Sequence, residues 1–295
     1  MTRAPIRLVT IDVEDWFHIL DAPVVPPLQE WAHLDSRLER SLHALLEQLD
    51  RDRIKATLFW LGWAAEKYPH LLQEAAQAGH EISSHGYAHV LAYQVGPRVF
   101  RSDAERAKKL LEDITGKLVA GYRAPGFSIT AQTPWAFETL AALGHTYDSS
   151  VFSAKRAHGG MPGGPIGHYV ISTHSGPLDE VTLSLVEFAG VRFTVFGGGY
   201  LRLAPMPLIW WGLRRLARQG LPAVIYVHPR EVDPDQPRLP LSWRRRFQCY
   251  VNLRSTRGKL DAICTQPGVT FSTIGNYLQH QRLVQTQPLP ANADS

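Results

Sequence analysis

The chain has 295 residues, 44% of them hydrophobic and 20% charged, the balance of an ordinary globular protein with enough length for a large core. Its formal net charge of +4, from 31 basic and 27 acidic residues, permits an anionic partner. It gives no case for nucleic acid, because no basic stripe interleaved with aromatics is present. Cys249 and Cys264 are the only cysteines, too few for a disulfide framework in a chain of this length, and read as reduced and structural.

In chain order, Arg7 to Ile11 reads as a buried strand. From Ser36 to Leu49, Leu38, Leu42, Leu45, Leu46 and Leu49 share one helical face, with Asp35 or Ser36 as N-cap. Ala56 to Leu61 is a second strand, Ala64 to Gln77 a helix ended by Gly79, and His80 to Ser84 a third strand. An amphipathic helix follows from Ser102 to Ile114, closed by Gly116. Then come a strand at Val119 to Tyr122, a helix at Pro134 to Leu143 and a brief strand at His145 to Asp148.

The Gly- and Pro-rich stretch from Ala154 to Gly167 reads as a loop over the barrel mouth. Val181 to Glu187 and Val191 to Phe196 read as strands around Gly190, Pro207 to Arg218 as a helix, and Ala223 to His228 as an apolar strand. About seven strand–helix units imply a parallel sheet with helices outside, an irregular (β/α)7-type barrel. Residues 1–229 form the main domain, 230–284 a C-terminal extension packed on the barrel with a helix near Thr256 to Thr265, and 285–295 a disordered tail. No internal repeat is present. Arg214-Arg215 and Arg244-Arg245-Arg246 read as solvated helix faces. No secretory signal is recognisable, and no apolar run reaches the roughly 18 residues a membrane span needs. A cytoplasmic protein is expected.

Five clusters carry candidate chemistry. Asp12, Glu14 and Asp15 stand at the C-terminal end of the first strand, where active sites of parallel α/β folds gather; buried, they need a cation or a partner. Alternation puts Asp12 and Glu14 on one face, and a turn after Val13 would bring in Asp15 instead. His85 and His89, four apart, meet on one face of a helical turn and suit one metal ion. Arg123 follows a strand and can hold a buried carboxylate ionised. Beside it Pro125 and Gly126 stiffen a turn whose backbone N–H can face an oxyanion. Asp148 and His228 close two further strands, the second a candidate general acid. Trp16, Trp60 and Trp63 can stack on sugar rings, although most such residues are core.

This order of motifs, above all Gly79–His89 and Gly121–Phe127, resembles the polysaccharide deacetylases of the NodB homology group, carbohydrate esterase family four, over roughly Arg7 to Pro229. The opening Thr-Ile-Asp-Val-Glu-Asp-Trp-Phe-His and the closing Tyr-Val-Asn-Leu-Arg-Ser-Thr-Arg-Gly-Lys-Leu look like a bacterial subgroup of exopolysaccharide and exosortase loci with a C-terminal extension. The resemblance implies Asp12 as general base, His85 and His89 as ligands of zinc or another divalent transition metal, and Arg123 orienting Asp12. His228 would be the general acid, with Asp148 tuning it. The family's usual second aspartate is replaced by Val13, so the carboxylate ligand is Glu14 or Asp15; an ungapped match to relatives with an Asp-x-Asp opening favours Glu14. The implied activity is removal of an N-acetyl group from an amino sugar in a polysaccharide or its lipid-linked precursor, in the cytoplasm or at the inner membrane face. The alternatives are an allantoinase-like hydrolase of a small cyclic amide and an inactive carbohydrate-binding module.

Overall fold

The computed structural model describes residues 4–20, 24–154 and 159–285. Its first strand, β1 (Ile6–Val13), is flanked by parallel partners on both sides, β2 (Thr57–Trp60) and β10 (Ala223–Val227). Placed between two neighbours, it is buried over almost its whole length, its polar Arg7, Thr10 and Asp12 included. Continuing outward from β2 come β3 (Glu81–Ser84), β4 (Gly121–Tyr122) and β5 (Tyr147–Asp148), all parallel. An antiparallel hairpin ends the sheet: β6 (His168–Thr173) is the edge, and β7 (Gly176–Val181) runs parallel to β5. The order is β10-β1-β2-β3-β4-β5-β7-β6.

The helices are α1 (Leu38–Arg51), α2 (Gly62–Lys67), α3 (Pro69–Gln77), α4 (Ala92–Thr115) and α5 (Trp135–Ala142). The helix expected from Ala64 to Gln77 is two, because Pro69 has no N–H to continue the first and starts the second. Helix α4 begins ten residues before the expected Ser102, kinks at Gly96 (φ 73°), and stops at the left-handed Gly116. A small hairpin, β8 (Val186–Phe188) with β9 (Val191–Phe193), precedes α6 (Gly198–Leu203) and α7 (Met206–Arg218). The strand expected from Val181 to Glu187 is therefore divided, its start ending β7 and its end forming β8.

The chain after β10 forms α8 (Trp243–Tyr250), α9 (Thr256–Cys264), β11 (Thr270–Ser272) and α10 (Ile274–Gln285). Strand β11 pairs in parallel with β1, so this segment joins the main sheet. Gln285 ends α10; residues 286–295, and residues 155–158 of the expected mouth loop, lie outside the described residues.

The sheet curls without a hydrogen-bonded ladder around the full circle. Two local contacts span the gap. Ser184 Oγ accepts from the Val224 N–H at 2.7 Å and donates to the Pro222 carbonyl at 3.2 Å. Gly197 bridges Tyr226, so closely that a Cβ there would lie 2.1 Å from the tyrosine ring; only glycine fits.

The period-2 alternation of the strands sorts the core. On β1, Val9, Ile11 and Val13 face outward to the helices, packing with Leu42, Leu45 and Leu72. Leu8 faces inward with Phe59, Val224 and Tyr226, and Ile274 and Leu278 of α10 join that inner cluster. Trp16, Trp60 and Trp63 are buried in the outer core, and Cys249 and Cys264 are free and buried. None of the described helices is long and apolar enough to cross a membrane.

Candidate active site

The inward face of β1 reads Leu8, Thr10, Asp12, and its last member opens into a cavity of about 300 Å³. Arg123, fully buried after β4, reaches across the sheet: its Nη1 donates to Asp12 Oδ1 at 2.7 Å and to Thr10 Oγ1 at 2.8 Å. Its other nitrogens donate to the carbonyl and the hydroxyl of Ser149, and the guanidinium lies 4.0 Å from the Phe59 ring centroid. Four of its five N–H groups are thus engaged. One oxygen of Asp12 is held, and the other, Oδ2, lies 3.8 Å from His228 Nε2.

Glu14 follows the end of β1, and its Oε1 meets His85 Nε2 at 3.1 Å and His89 Nε2 at 2.9 Å. His85 Nδ1 donates to the Arg123 carbonyl at 2.7 Å, which turns the lone pair of a neutral ring at Nε2 toward the carboxylate. Two acceptors then face each other across 3.1 Å in a buried site, an arrangement that needs a cation or an added proton between them. Burial pushes the Glu14 carboxyl up, but His89, His228 and His85 outweigh it and hold it well below the usual range. One carboxylate oxygen and two imidazole nitrogens are the donor set of an open three-ligand metal centre, so these residues fit the expected ion.

The two histidines are not on a helix, as the four-residue spacing suggested. They belong to a loop after β3 in which Gly86 (φ 73°) and His89 (φ 56°) are left-handed. Asp103 of α4 pins this loop, accepting the N–H groups of Tyr87 at 2.7 Å and Ala88 at 2.9 Å. A Cβ on Gly86 would lie 2.6 Å from that carboxylate. A positive φ at a non-glycine is strained and persists where surrounding bonds dictate it.

Asp15, the other candidate ligand, turns the opposite way. Its carboxylate accepts the N–H groups of Trp16 and Arg37 and the hydroxyl of Ser36, and so serves the start of α1. A short buried side chain engaged by three donors has no oxygen directed at the imidazoles.

His228, expected under Asp148, is oriented by a different acid. Its Nδ1 meets Glu231 Oε2 at 3.1 Å, and its backbone N–H donates to the same oxygen at 3.0 Å. Glu231 in turn pairs with the Nε of buried Arg202 at 3.0 Å. Burial raises the Glu231 carboxyl, but Arg202 first and then His228 bring it down to about 2. Burial lowers the His228 imidazole, while Glu14, Glu231 and Asp12 raise it above its ordinary value. Asp148 is bonded instead to Ser150 (Oγ at 2.6 Å) and packed against Glu180. The signal for Glu231 was in the sequence: a carboxylate three residues after a strand-end His has capping-box spacing. No local pattern announced Arg202.

Pro125 and Gly126 form a tight turn with Gly126 left-handed at φ 61°, and Gly126 lines the cavity. His18, unassigned by motif reasoning, also lines it; its Nδ1 accepts the Asp15 N–H at 3.0 Å.

Comparison with known proteins bears on this geometry. Residues 34–147 match the polysaccharide deacetylase family model, and residues 149–279 match a domain of unknown function, DUF3473. A peptidoglycan-N-acetylglucosamine deacetylase of Bacillus cereus is 32% identical over 95 residues, 32% of this chain and 34% of that protein. A peptidoglycan deacetylase of Helicobacter pylori is 28% identical over 113 residues, 38% of each chain. The chain spans about a third of the length of the curated relatives it matches. Among solved structures, a Mycobacterium smegmatis protein assigned to the polysaccharide deacetylases superposes with TM-score 0.66 at 20% identity, over 100% of this chain and 96% of the other. An allantoinase superposes with TM-score 0.62 at 15% identity, over 97% and 93%. The structural likenesses show the fold, and the family models show the lineage. The chain carries a domain of the polysaccharide deacetylase family, the NodB-homology group of carbohydrate esterase family four, continued on its C-terminal side by a DUF3473 segment.

Proposed function

We propose that the protein is a metal-dependent deacetylase that hydrolyses the N-acetyl group of an amino sugar in a polysaccharide or its lipid-linked precursor. The observation that carries the reading is the convergence on one cavity of Asp12, Glu14, His89 and His228, with His85 meeting the same Glu14 oxygen from behind the wall. Glu14, His85 and His89 would hold the ion, with zinc the best match to two imidazoles and a carboxylate. The ion supplies Lewis acidity, polarising the acetamide carbonyl and making water a stronger acid.

The chain's own groups do the rest. Asp12, oriented by Arg123 at its Oδ1, takes the proton of the attacking water at its Oδ2. Gly126, on the cavity wall, offers a backbone N–H to the carbonyl oxygen as negative charge develops. His228, protonated and oriented by Glu231, gives its proton to the leaving amine nitrogen. Arg123 and Asp148 act through their neighbours, Asp148 as a buried support for the turn after β5. The extension at 230–284 contributes part of the cavity wall through Arg230, Arg245 and Gln248. The place of action we propose is the cytoplasm, at the inner membrane face, a point cell fractionation tests.

The test is acetate release from N-acetylated chito-oligosaccharides by protein stripped with chelator and reloaded with zinc. Activity must vanish on stripping, return with metal, and be absent in Asp12→Asn. Turnover of allantoin in place of the sugar would support a cyclic amide hydrolase. Sugar binding without turnover, no metal uptake and indifference to Asp12→Asn would leave a binding module.

A further inference from the structure

The cavity has a second half that the deacetylation chemistry does not use. Besides Asp12, Glu14 and His228, the cavity is lined by Arg202, Arg230 and Arg245, and among the described residues it has no further carboxylate. Arg202 is accounted for: its Nε pairs with Glu231, and its Nη atoms donate to the carbonyls of Gln248 and Cys249. The other two are not. Arg230 Nε and Nη1 are buried without an acceptor, and among the described residues its guanidinium makes no ion pair. Arg245 donates to the Leu20 carbonyl and weakly to Gln248 Oε1, its Nε is buried without an acceptor, and among the described residues it meets no carboxylate.

Glu231, the carboxylate that faces Arg202 and Arg230, is already taken by Arg202 and His228. Arg230 stands close enough to add a repulsive charge to both Arg202 and His18. A guanidinium N–H withdrawn from water and left without an acceptor is costly, and among the described residues none accepts from Arg230 Nε and Nη1 or from Arg245 Nε. A fork of such donors fits a carboxylate or a phosphoryl group in the plane of the guanidinium. All three arginines fall within the DUF3473 match.

We propose that Arg230 and Arg245 form an anion subsite, which grips an acidic group carried by the substrate beside the acetylated sugar. The acid is a carboxylate, as on a neighbouring uronic acid, or a phosphoryl group, as in a diphosphate link to a lipid. This assignment rests on the deacetylase reading for its substrate, but the subsite itself can be tested without catalysis.

Two measurements test it. In the first, metal-free protein is titrated calorimetrically with glucuronate and with inorganic pyrophosphate; removing the metal excludes chelation. Wild type binds one of them, and Arg230→Gln or Arg245→Gln weakens that binding about tenfold or more. The ligand preferred identifies the source of the anion. In the second, zinc-loaded protein is given neutral chito-oligosaccharide, an oligosaccharide alternating N-acetylhexosamine with uronic acid, and a diphosphate-linked N-acetylglucosamine. Wild type favours one acidic substrate in kcat/KM, and the discrimination ratio collapses by about tenfold in each variant, mainly through KM. Binding without turnover of any substrate would retain the subsite and reject the deacetylase reading. No binding of either anion by wild type, or equal binding by wild type and both variants, would overturn the subsite. Arg245→Lys, which keeps the charge and loses the fork, serves if a glutamine variant misfolds; it must weaken binding less than complete loss of charge does.

Discussion

Two buried acidic centres in this protein resolve the same problem in opposite ways. At the tip of β1, Glu14 faces two imidazoles whose neutral forms present lone pairs, and its carboxyl is held well below the ordinary range. Between β5 and β7, Asp148 faces Glu180 in a fully buried pair, and burial, reinforced by the neighbouring Asp148 carboxylate, drives Glu180 well above its ordinary value. The first centre sets a carboxylate oxygen against two oriented imidazole nitrogens and suits a cation. The second keeps a proton and needs none. The family resemblance grouped Asp148 with the site chemistry; here it bonds Ser150 and packs against Glu180, while Glu14 meets two oriented imidazole nitrogens.

Breaking the first centre should have the largest effect. Glu14→Gln keeps the shape and loses the charge, so metal content should fall to near zero and kcat by about 10³-fold or more. Metal analysis and acetate release on the same preparation check this; a variant that keeps its zinc would remove Glu14 from the ligand set.

Next in size is Glu231→Gln, which leaves the ion's ligands intact and strips His228 of its acidic partner. We expect kcat to drop about 10²-fold with metal retained. The pH profile carries the sign. His228 must be protonated to donate, and its raised value owes something to Glu231. Activity falls as pH climbs through that value, so the alkaline limb should move to lower pH in the variant. An unmoved limb would assign it to another group.

The second centre should answer in stability. Glu180 is raised above its unfolded value near 4.5, so its contribution is fully present below that pH and is lost as pH rises through the folded value. Glu180→Gln is neutral at every pH and should flatten this loss, gaining about 1–3 kcal/mol over wild type at alkaline pH. Thermal unfolding from pH 5 to 9 reads it out; parallel curves for the two proteins would contradict the shared-proton account.

The smallest effect belongs to Asp15→Asn. Its carboxylate serves the N-terminus of α1, so the cost is about 1 kcal/mol in unfolding, with metal content unchanged.

Much of this was legible from residues alone. Arg123 and His228 stand at strand ends as read, and Asp12 closes the inward face of β1; Glu14 reaches the same cavity from a turn just past Val13, not by strand alternation. What escaped was tertiary. The His85–His89 spacing suggested a helical turn, but Asp103 and backbone bonds from Gly62 and Trp63 hold it as a loop with left-handed residues. Arg202 sits in a glycine-rich segment with no periodicity, and its role exists only because α8 brings carbonyls to it. The β6–β7 hairpin was missed because His168–Thr173 alternates half-buried and exposed residues at a sheet edge, where apolar runs are not required.

The most direct test of the central claim is an anomalous-scattering map at the zinc edge from crystals grown with zinc. The account predicts one strong peak bonded to Glu14 Oε1, His85 Nε2 and His89 Nε2, with Asp12 and His228 facing its open side. No peak in that cavity, or a peak held by Asp15 or by Asp148 with Glu180, would contradict it.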